Sequence, residues 1–118
     1  MSTMIKDLSH SVAAVGGTYD FIDEVVPSNC KLILKGFGND LDNIAGWTFC
    51  HWRFLRNGIP AYPMDDIYDQ MGYSAQRQPT QQLIWQGGDR FQLRGINDHA
   101  ALAIGMLISV EYEFVDNA

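Results

Sequence analysis

The regular alternation of side chains near the end of the chain constrains the fold more than any other sequence feature. Every even position from Leu102 to Phe114 is apolar, whereas the odd positions are mostly small and then polar. Successive side chains of a β-strand point to opposite faces, so this spacing predicts one strand with a buried face and an exposed face. A helix would scatter the same apolar residues around its surface. Because the segment is longer than most strands, we expect a bend or bulge near Gly105.

Two shorter segments upstream, residues 82–86 and 90–96, have the same period of two. A three-residue loop between them would set Leu83 opposite Phe91, so that like faces meet. A four-residue turn before the last strand would likewise set Leu93 opposite Ile104. These registers predict three neighbouring antiparallel strands, with Gly88 in the left-handed conformation. The alternation fits a jelly roll equally well, although successive late strands of that fold lie in different sheets.

The first half of the chain contains three further predicted strands, at residues 18–26, 30–37 and 47–56. The earliest would place Tyr19, Phe21 and Val25 on one face. The last is apolar on both faces, which predicts cover by the core on one side and by a loop or a neighbouring subunit on the other. Residues 36–46 are rich in Gly, Asn and Asp and therefore predict a loop.

Turn signals limit the remaining elements. Asn57-Gly58 is the strongest hairpin signal, since both central positions of a type I′ turn need positive φ. Pro60 withholds a ladder donor, which predicts a short edge strand after the hairpin. Residues 65–71 could form one or two helical turns, and residues 1–10 form either an extended N-terminal arm or a first irregular strand. The sequence therefore predicts a single all-β domain that spans all 118 residues. Its expected architecture is a jelly-roll-like β-sandwich of seven to eight antiparallel strands with at most one short helix.

The charge of the chain limits its partners. Its net charge is −6 and it contains no run of Lys or Arg, so we expect neither nucleic acid nor a membrane surface as a direct partner. It has no basic and apolar leader and no run of about 18 apolar residues, which predicts a soluble protein without a signal peptide. Cys30 and Cys50 lie in separate predicted strands. Buried free thiols are the favoured interpretation, and a disulfide between them is left open.

Residues that could carry chemistry do not form a known motif. The three histidines, His10, His51 and His99, lack the paired spacing and the following glutamate of a cupin metal site. The acidic groups at residues 20–24 and 65–69 lack the spacing of a calcium loop, so a solvated surface is the favoured interpretation. No Ser or Cys has the local motif of a nucleophile. We therefore predict no catalytic, cofactor-binding or metal-binding residues, and a protein that is not an enzyme.

Several segments of the chain together form a recognisable pattern. They are Val26-Pro27-Ser28-Asn29, which leads into the strand Lys31-Leu32-Ile33-Leu34; the hairpin Arg56-Asn57-Gly58; and Pro79 to Ile84, which leads into Gly87-Gly88-Asp89-Arg90. This pattern resembles the small jelly-roll cement or decoration proteins of tailed bacteriophage capsids. The resemblance implies a structural virion protein on the capsid exterior that bridges neighbouring major capsid subunits. It also implies a homo-dimer or homo-trimer that is made in the host cytoplasm.

The family has no motif that identifies contact residues, so these are predicted from physical character. Residues 1–10 contain apolar side chains without an obvious place in the sandwich, and tyrosines, which are enriched at interfaces, follow the predicted edge strand. The predicted contact residues are Met4, Ile5, Leu8, Tyr62, Tyr68 and Tyr73. An alternative function is a carbohydrate- or receptor-binding module such as a tail-fibre tip, in which exposed Trp47 and Trp85 would stack on sugar rings. A cupin-like enzyme is a third alternative.

Overall fold

The computed structural model describes residues 2–42, 49–62, 64–67 and 82–117. These residues contain eight strands: β1 (Ser2–Val12), β2 (Gly17–Val25), β3 (Cys30–Leu41), β4 (Cys50–Arg56), β5 (Ile59–Pro60), β6 (Leu83–Trp85), β7 (Arg90–Asn97) and β8 (Ile104–Asp116). Within these ranges there is no helix, and hence no helix that could cross a membrane. The predicted all-β class is confirmed.

The strands form two antiparallel sheets of four strands each. The β1 sheet has the order β1-β8-β3-β6, and the β2 sheet has the order β2-β7-β4-β5. Consecutive strands alternate between the two sheets except in the β4–β5 hairpin. This is the strand order of an eight-stranded jelly roll, which contains two Greek keys. The predicted β-sandwich is therefore confirmed, and its topology is that of a jelly roll.

The prediction that residues 82–115 form three neighbouring antiparallel strands is wrong, because these strands are not adjacent to one another in either sheet. Leu83 lies opposite Leu34 in the β1 sheet, whereas Phe91 belongs to the β2 sheet. The rings of Phe91 and Tyr112 nevertheless meet across the core, with their centroids 5.2 Å apart. A side chain that points into the core contacts other inward side chains, whether these come from a neighbouring strand of the same sheet or from a strand of the facing sheet. Alternation alone therefore could not separate the two topologies.

Strand β8 follows the predicted alternation. Its even-numbered side chains from Ile104 to Tyr112 are fully buried between the sheets. Of the bend or bulge expected near Gly105, the bulge is wrong, because β8 pairs with β1 without a register shift. Gly105 serves a close approach instead: a Cβ at this position would overlap the carboxylate of Asp42, which accepts the Gly105 N–H at 2.9 Å.

Pairing irregularities occur in β2 and β3. The one in β2 follows Asp20 and reverses the later side chains, so Ile22 is buried and Val25 is exposed. The predicted face that contains Val25 is therefore wrong. Strand β3 has an irregularity near its middle and continues to Leu41, so the predicted loop is wrong over residues 36–41. Residues 43–46 of that prediction lie outside the described residues.

Strand β4 is buried on both faces, as predicted. Trp52 and Phe54 lie in the core, while His51 and Leu55 on the opposite face are also buried. The turn after β4 has positive φ at Asn57 and Gly58, which confirms the predicted hairpin.

The return strand β5 has only two residues and forms an edge of its sheet, as predicted. The chain then continues beside β4, where the backbones of Trp52 and Ile67 exchange two hydrogen bonds of 3.0 and 2.9 Å. Residues 65–67 therefore do not form the predicted helical turn. Residues 68–71 of that prediction lie outside the described residues.

Candidate interaction surfaces

Strand β1 forms one edge of the jelly roll. It pairs with β8 from Ser2 opposite Phe114 to Val12 opposite Ile104, without a register shift. Of the two alternatives for residues 1–10, residues 2–10 therefore form the strand and not an extended arm. Sequence reasoning left this open because polar residues occupy two inward positions, which hides the apolar alternation of a half-buried strand.

Two of the predicted contact residues on β1 face the core. Met4 and Leu8 are partly buried and pack against the core, which corrects the expectation that they have no place in the sandwich. Ile5 lies between them on the opposite face of the strand, and 64% of its surface is exposed. Ile5 is thus the apolar residue of this group that β1 presents to solvent.

The polar residues on the inner side of β1 contact β2 and β8. Lys6 Nζ lies 3.9 Å from Glu24 Oε2, and His10 stacks on Tyr19 with ring centroids 3.6 Å apart. The Tyr112 hydroxyl donates a hydrogen bond of 2.9 Å to Glu24 Oε1. Burial, together with this neighbouring carboxylate, raises the pKa of Tyr112. These contacts hold β1 and β2 together at one side of the sandwich.

Tyr62 is presented on the other side of the sandwich, just after β5. Its neighbours are fixed by the backbone: Ala61 N donates to Phe54 O at 2.8 Å, and Phe54 N donates to Met64 O at 3.0 Å. Both Ala61 and Met64 are buried, whereas Tyr62 is 72% exposed and nearby Ile59 is 68% exposed. We call Ile59 and Tyr62 the β5-side patch. The predicted contact residues Tyr68 and Tyr73 lie outside the described residues.

The β5-side patch and the β1 edge lie on opposite sides of the sandwich. Strands β1 and β5 are at the ends of their sheets, and β1 contacts β2, which is the far edge of the β5-containing sheet. The β6 side is closed separately by hydrogen bonds from the Arg56 guanidinium to Ile84 O and from Trp85 Nε1 to Leu55 O. Ile5 and the β5-side patch are therefore two of the exposed apolar places on one compact body, together with others such as Val15 and Val25.

A polar cluster around His51 is the feature that sequence reasoning missed. The His51 Nδ1 atom contacts an Asp66 carboxylate oxygen, and Nε2 lies 2.9 Å from Asp98 Oδ2. Arg53 Nε lies 3.6 Å from the same Asp66 oxygen. The partners are 15 and 47 residues from His51 in sequence, so no local motif could have indicated them. With both ring nitrogens engaged by carboxylates, the cluster ties β4 to two loops.

The other candidate groups have partners within the fold. His99 Nδ1 accepts the backbone N–H groups of Ala101 and Leu102, each at 3.0 Å, and so holds the turn before β8. Within the acidic group at residues 20–24, Asp20 pairs with Arg94 and Asp23 pairs with Arg90.

The hydrogen bonds from Arg90 hold the pKa of Asp23 below its ordinary value. In the described part of the chain, no three His, Cys, Asp or Glu side chains are placed to hold a metal ion.

The cysteines and tryptophans are internal where the structure describes them. Cys30 and Cys50 are buried free thiols, as favoured from the sequence, and do not form a disulfide. Burial raises the pKa of the Cys50 thiol to about 11. Trp85 is fully buried, so its ring is not available for stacking on a sugar. Trp47 lies outside the described residues.

The chain matches no protein-family model, no curated protein and no solved structure. Function is therefore inferred from the surfaces of the fold.

Proposed function

We propose that this chain is a structural virion protein that binds the outer surface of a tailed-phage capsid and cements neighbouring major capsid subunits. The observation that supports this function is the exposure of apolar residues at two opposite edges of one compact sandwich. A cementing protein must reach two neighbouring subunits at once, so it needs one surface for the capsid and a separate surface for another copy of itself, fixed relative to each other. A jelly roll with a single continuous core supplies this geometry.

The β5-side patch is the surface that we assign to the capsid. Tyrosine is enriched at the cores of protein interfaces because its ring buries a large apolar area while its hydroxyl can still bond. Tyr62 is held outward between two buried, backbone-bonded neighbours, so little conformational freedom is lost when it binds.

Cementing in this proposal depends on multivalency and involves no chemical step. A homo-dimer or homo-trimer presents several β5-side patches, and each further contact becomes intramolecular once the first has formed. Weak individual contacts then add up to stable attachment. No cofactor, nucleic acid or membrane takes part, and the protein acts on the capsid exterior after synthesis in the host cytoplasm.

The test is co-sedimentation of the purified, fluorescently labelled chain with assembled capsids of tailed phages, alongside a glycan array. We expect saturable binding with a fixed number of copies per capsid and no sugar binding. Tyr62→Ala should weaken binding about tenfold or more, since it removes an aromatic interface residue. Val15→Ala, which removes exposed apolar surface in the turn between β1 and β2, should leave binding unchanged.

Two results would contradict the proposal. Binding to sugars by the monomer would favour the carbohydrate-binding alternative, in which Tyr62 would be the stacking ring. Capsid binding that is equally strong for Tyr62→Ala and the unmodified chain would show that the β5-side patch is not the contact surface.

A further inference from the structure

The outer side of β1 is an open strand edge. In the described part of the chain, β1 pairs with β8 on one side, and no strand pairs with its other side. The strand has eleven residues, contains no proline and keeps one register with β8 throughout. A long, regular edge with unpaired backbone groups is a template for the addition of another strand.

The other three edges of the jelly roll carry features that prevent strand addition. Strand β5 has two residues, one of them Pro60, and β6 has three residues. Strand β2 is interrupted by its irregularity after Asp20 and carries further acidic residues at Asp23 and Glu24. Natural sheets use these devices, namely short edges, proline, bulges and charge, to block unwanted pairing. Strand β1 is long, contains no proline and has no bulge.

Lys6 is the type of residue that commonly protects an edge, but here it is engaged elsewhere. Its ammonium group faces the inside of the sandwich, near Glu24 and the ring of Tyr112. The outer face of β1 instead carries Thr3 and the charged residue Asp7 on either side of Ile5, which is 64% exposed. Lys6 is paired with Glu24, so Asp7 is the charged residue that remains on the outer face of β1, in a chain of net charge −6. With one charged residue per copy on this face, charge repulsion opposes self-association at β1 only where the register sets Asp7 close to its own copy.

We propose that two copies of this chain associate through β1, antiparallel about a two-fold axis centred on Ile5, so that the two β1 sheets become one continuous eight-stranded sheet. This inference stands on the strand edge alone and does not depend on capsid binding. In such a dimer the two β5-side patches lie at the outer ends, because each is on the side of its sandwich away from β1.

The charges of β1 select the register. In an antiparallel pair of identical strands related by a two-fold axis, one residue lies opposite its own copy. Centring the pair on Lys6 or Asp7 would set two like charges directly opposite each other, which destabilises a pair. Centring it on Leu8 would leave the exposed isoleucine opposite a serine. Centring it on Ile5 sets the two isoleucines together and places Asp7 opposite Thr3 of the second copy, so no charges clash.

Disulfide trapping tests this register directly. Opposed residues of antiparallel strands have Cβ atoms about 5 Å apart, which is close to the separation that a disulfide needs. Ile5→Cys should form a covalent dimer under mild oxidation. The fraction of chains in the disulfide-linked dimer should remain high when the protein is diluted to the dissociation constant of the dimer. Ile59→Cys is the matched control, because Ile59 has nearly the same exposure, 68%, at the opposite edge. Equal trapping of the two variants, or no trapping of Ile5→Cys, would overturn the proposal.

Analytical ultracentrifugation of the unmodified chain tests the association itself. We expect a reversible monomer–dimer equilibrium, and Ile5→Lys should raise its dissociation constant about tenfold or more, since it sets two like charges opposite each other. Ile59→Lys should leave the dissociation constant unchanged. Circular dichroism and thermal unfolding establish that both variants are folded.

A chain that is monomeric at millimolar concentration, or that forms a trimer unaffected by Ile5→Lys, would overturn the proposal. A monomer that loses capsid binding with Ile5→Lys would also overturn it, because the β1 edge would then receive a strand of the capsid. Dimerisation without capsid binding would support the β1 interface and contradict the proposed function, so the two failures are distinguishable.

Discussion

Replacement of Asn97 should be among the most damaging single substitutions in the described part of the chain. Its fully buried amide donates to Val12 O and Leu102 O, both at 2.9 Å, and its Oδ1 accepts the His99 N–H at 2.9 Å. Asn97 thereby ties the end of β1, the end of β7 and the start of β8 to one another. A hydrogen bond contributes about 1 kcal/mol net, and a buried group left without a partner costs about 1–3 kcal/mol.

Asn97→Ala should therefore lower the free energy of unfolding by about 3 kcal/mol, which corresponds to a decrease in Tm on the order of 10 °C. Asn97→Asp preserves the size of the side chain but sets a carboxyl oxygen against two carbonyl oxygens. The folded variant can relieve this only by keeping the carboxyl protonated, whereas the unfolded chain ionises above a pKa of about 4. The cost of Asn97→Asp should consequently grow as the pH rises from 4 to 7.

The assay is urea unfolding followed by tryptophan fluorescence at pH 4 and pH 7. Asn117→Asp is the matched control, since it makes the same chemical change at an exposed position and should cost less than about 0.5 kcal/mol. Equal costs for the two Asp variants, or a cost of Asn97→Asp that does not depend on pH, would refute this account of Asn97.

Two further substitutions and two measurements on Cys50 have clear expectations. Tyr112→Phe removes the hydroxyl that donates to Glu24 and should lower stability by about 1 kcal/mol in urea unfolding. Gly87→Ala would bring a Cβ within 2.6 Å of the Ser28 carbonyl oxygen, and the resulting overpacking should cost about 1–3 kcal/mol by the same assay. Because burial raises the pKa of Cys50 from 9.0 to about 11, iodoacetamide should label this thiol at pH 8 only after urea is added. The stability that Cys50 contributes as a neutral thiol should be lost as the pH rises from about 9 to about 11, which alkaline unfolding curves would measure.

The elements of the fold follow from local patterns, whereas their arrangement does not. The alternation from Ile104 to Tyr112 and the Asn57-Gly58 turn are local features, and both are confirmed. The sheet to which a strand belongs depends on contacts across the core, and a residue such as Phe91 is equally buried in either arrangement. The register of β2 after Asp20 depends on one extra residue that no periodicity reveals. These two errors have the same origin: a pattern of apolar residues indicates which side chains point into the core, but it does not indicate which strands lie next to one another.

The candidate interaction surfaces at β1 and β5 could be predicted from the sequence only in part. Ile5 and Tyr62 were identified from their apolar or aromatic character, and both are exposed. The inward positions of Met4 and Leu8 are hidden in the sequence, because polar residues interrupt the inward face of β1. These polar residues are Lys6, which contacts Glu24, and His10, which stacks on Tyr19, and only the structure shows these partners. The His51 cluster could not be predicted, since its carboxylates are distant in sequence and are brought together by two loops.

Amide hydrogen exchange of β1, followed by nuclear magnetic resonance at low and high protein concentration, tests the central claim most directly. In the monomer, every second amide from Ser2 to Val12 should be protected by β8, and the others should exchange rapidly. At high concentration the unprotected amides around Ile5 should also become protected, as the second β1 strand pairs with them. Rapid exchange of all these amides, or an alternating pattern that does not change with concentration, would contradict the claim that β1 is an edge strand through which the protein associates.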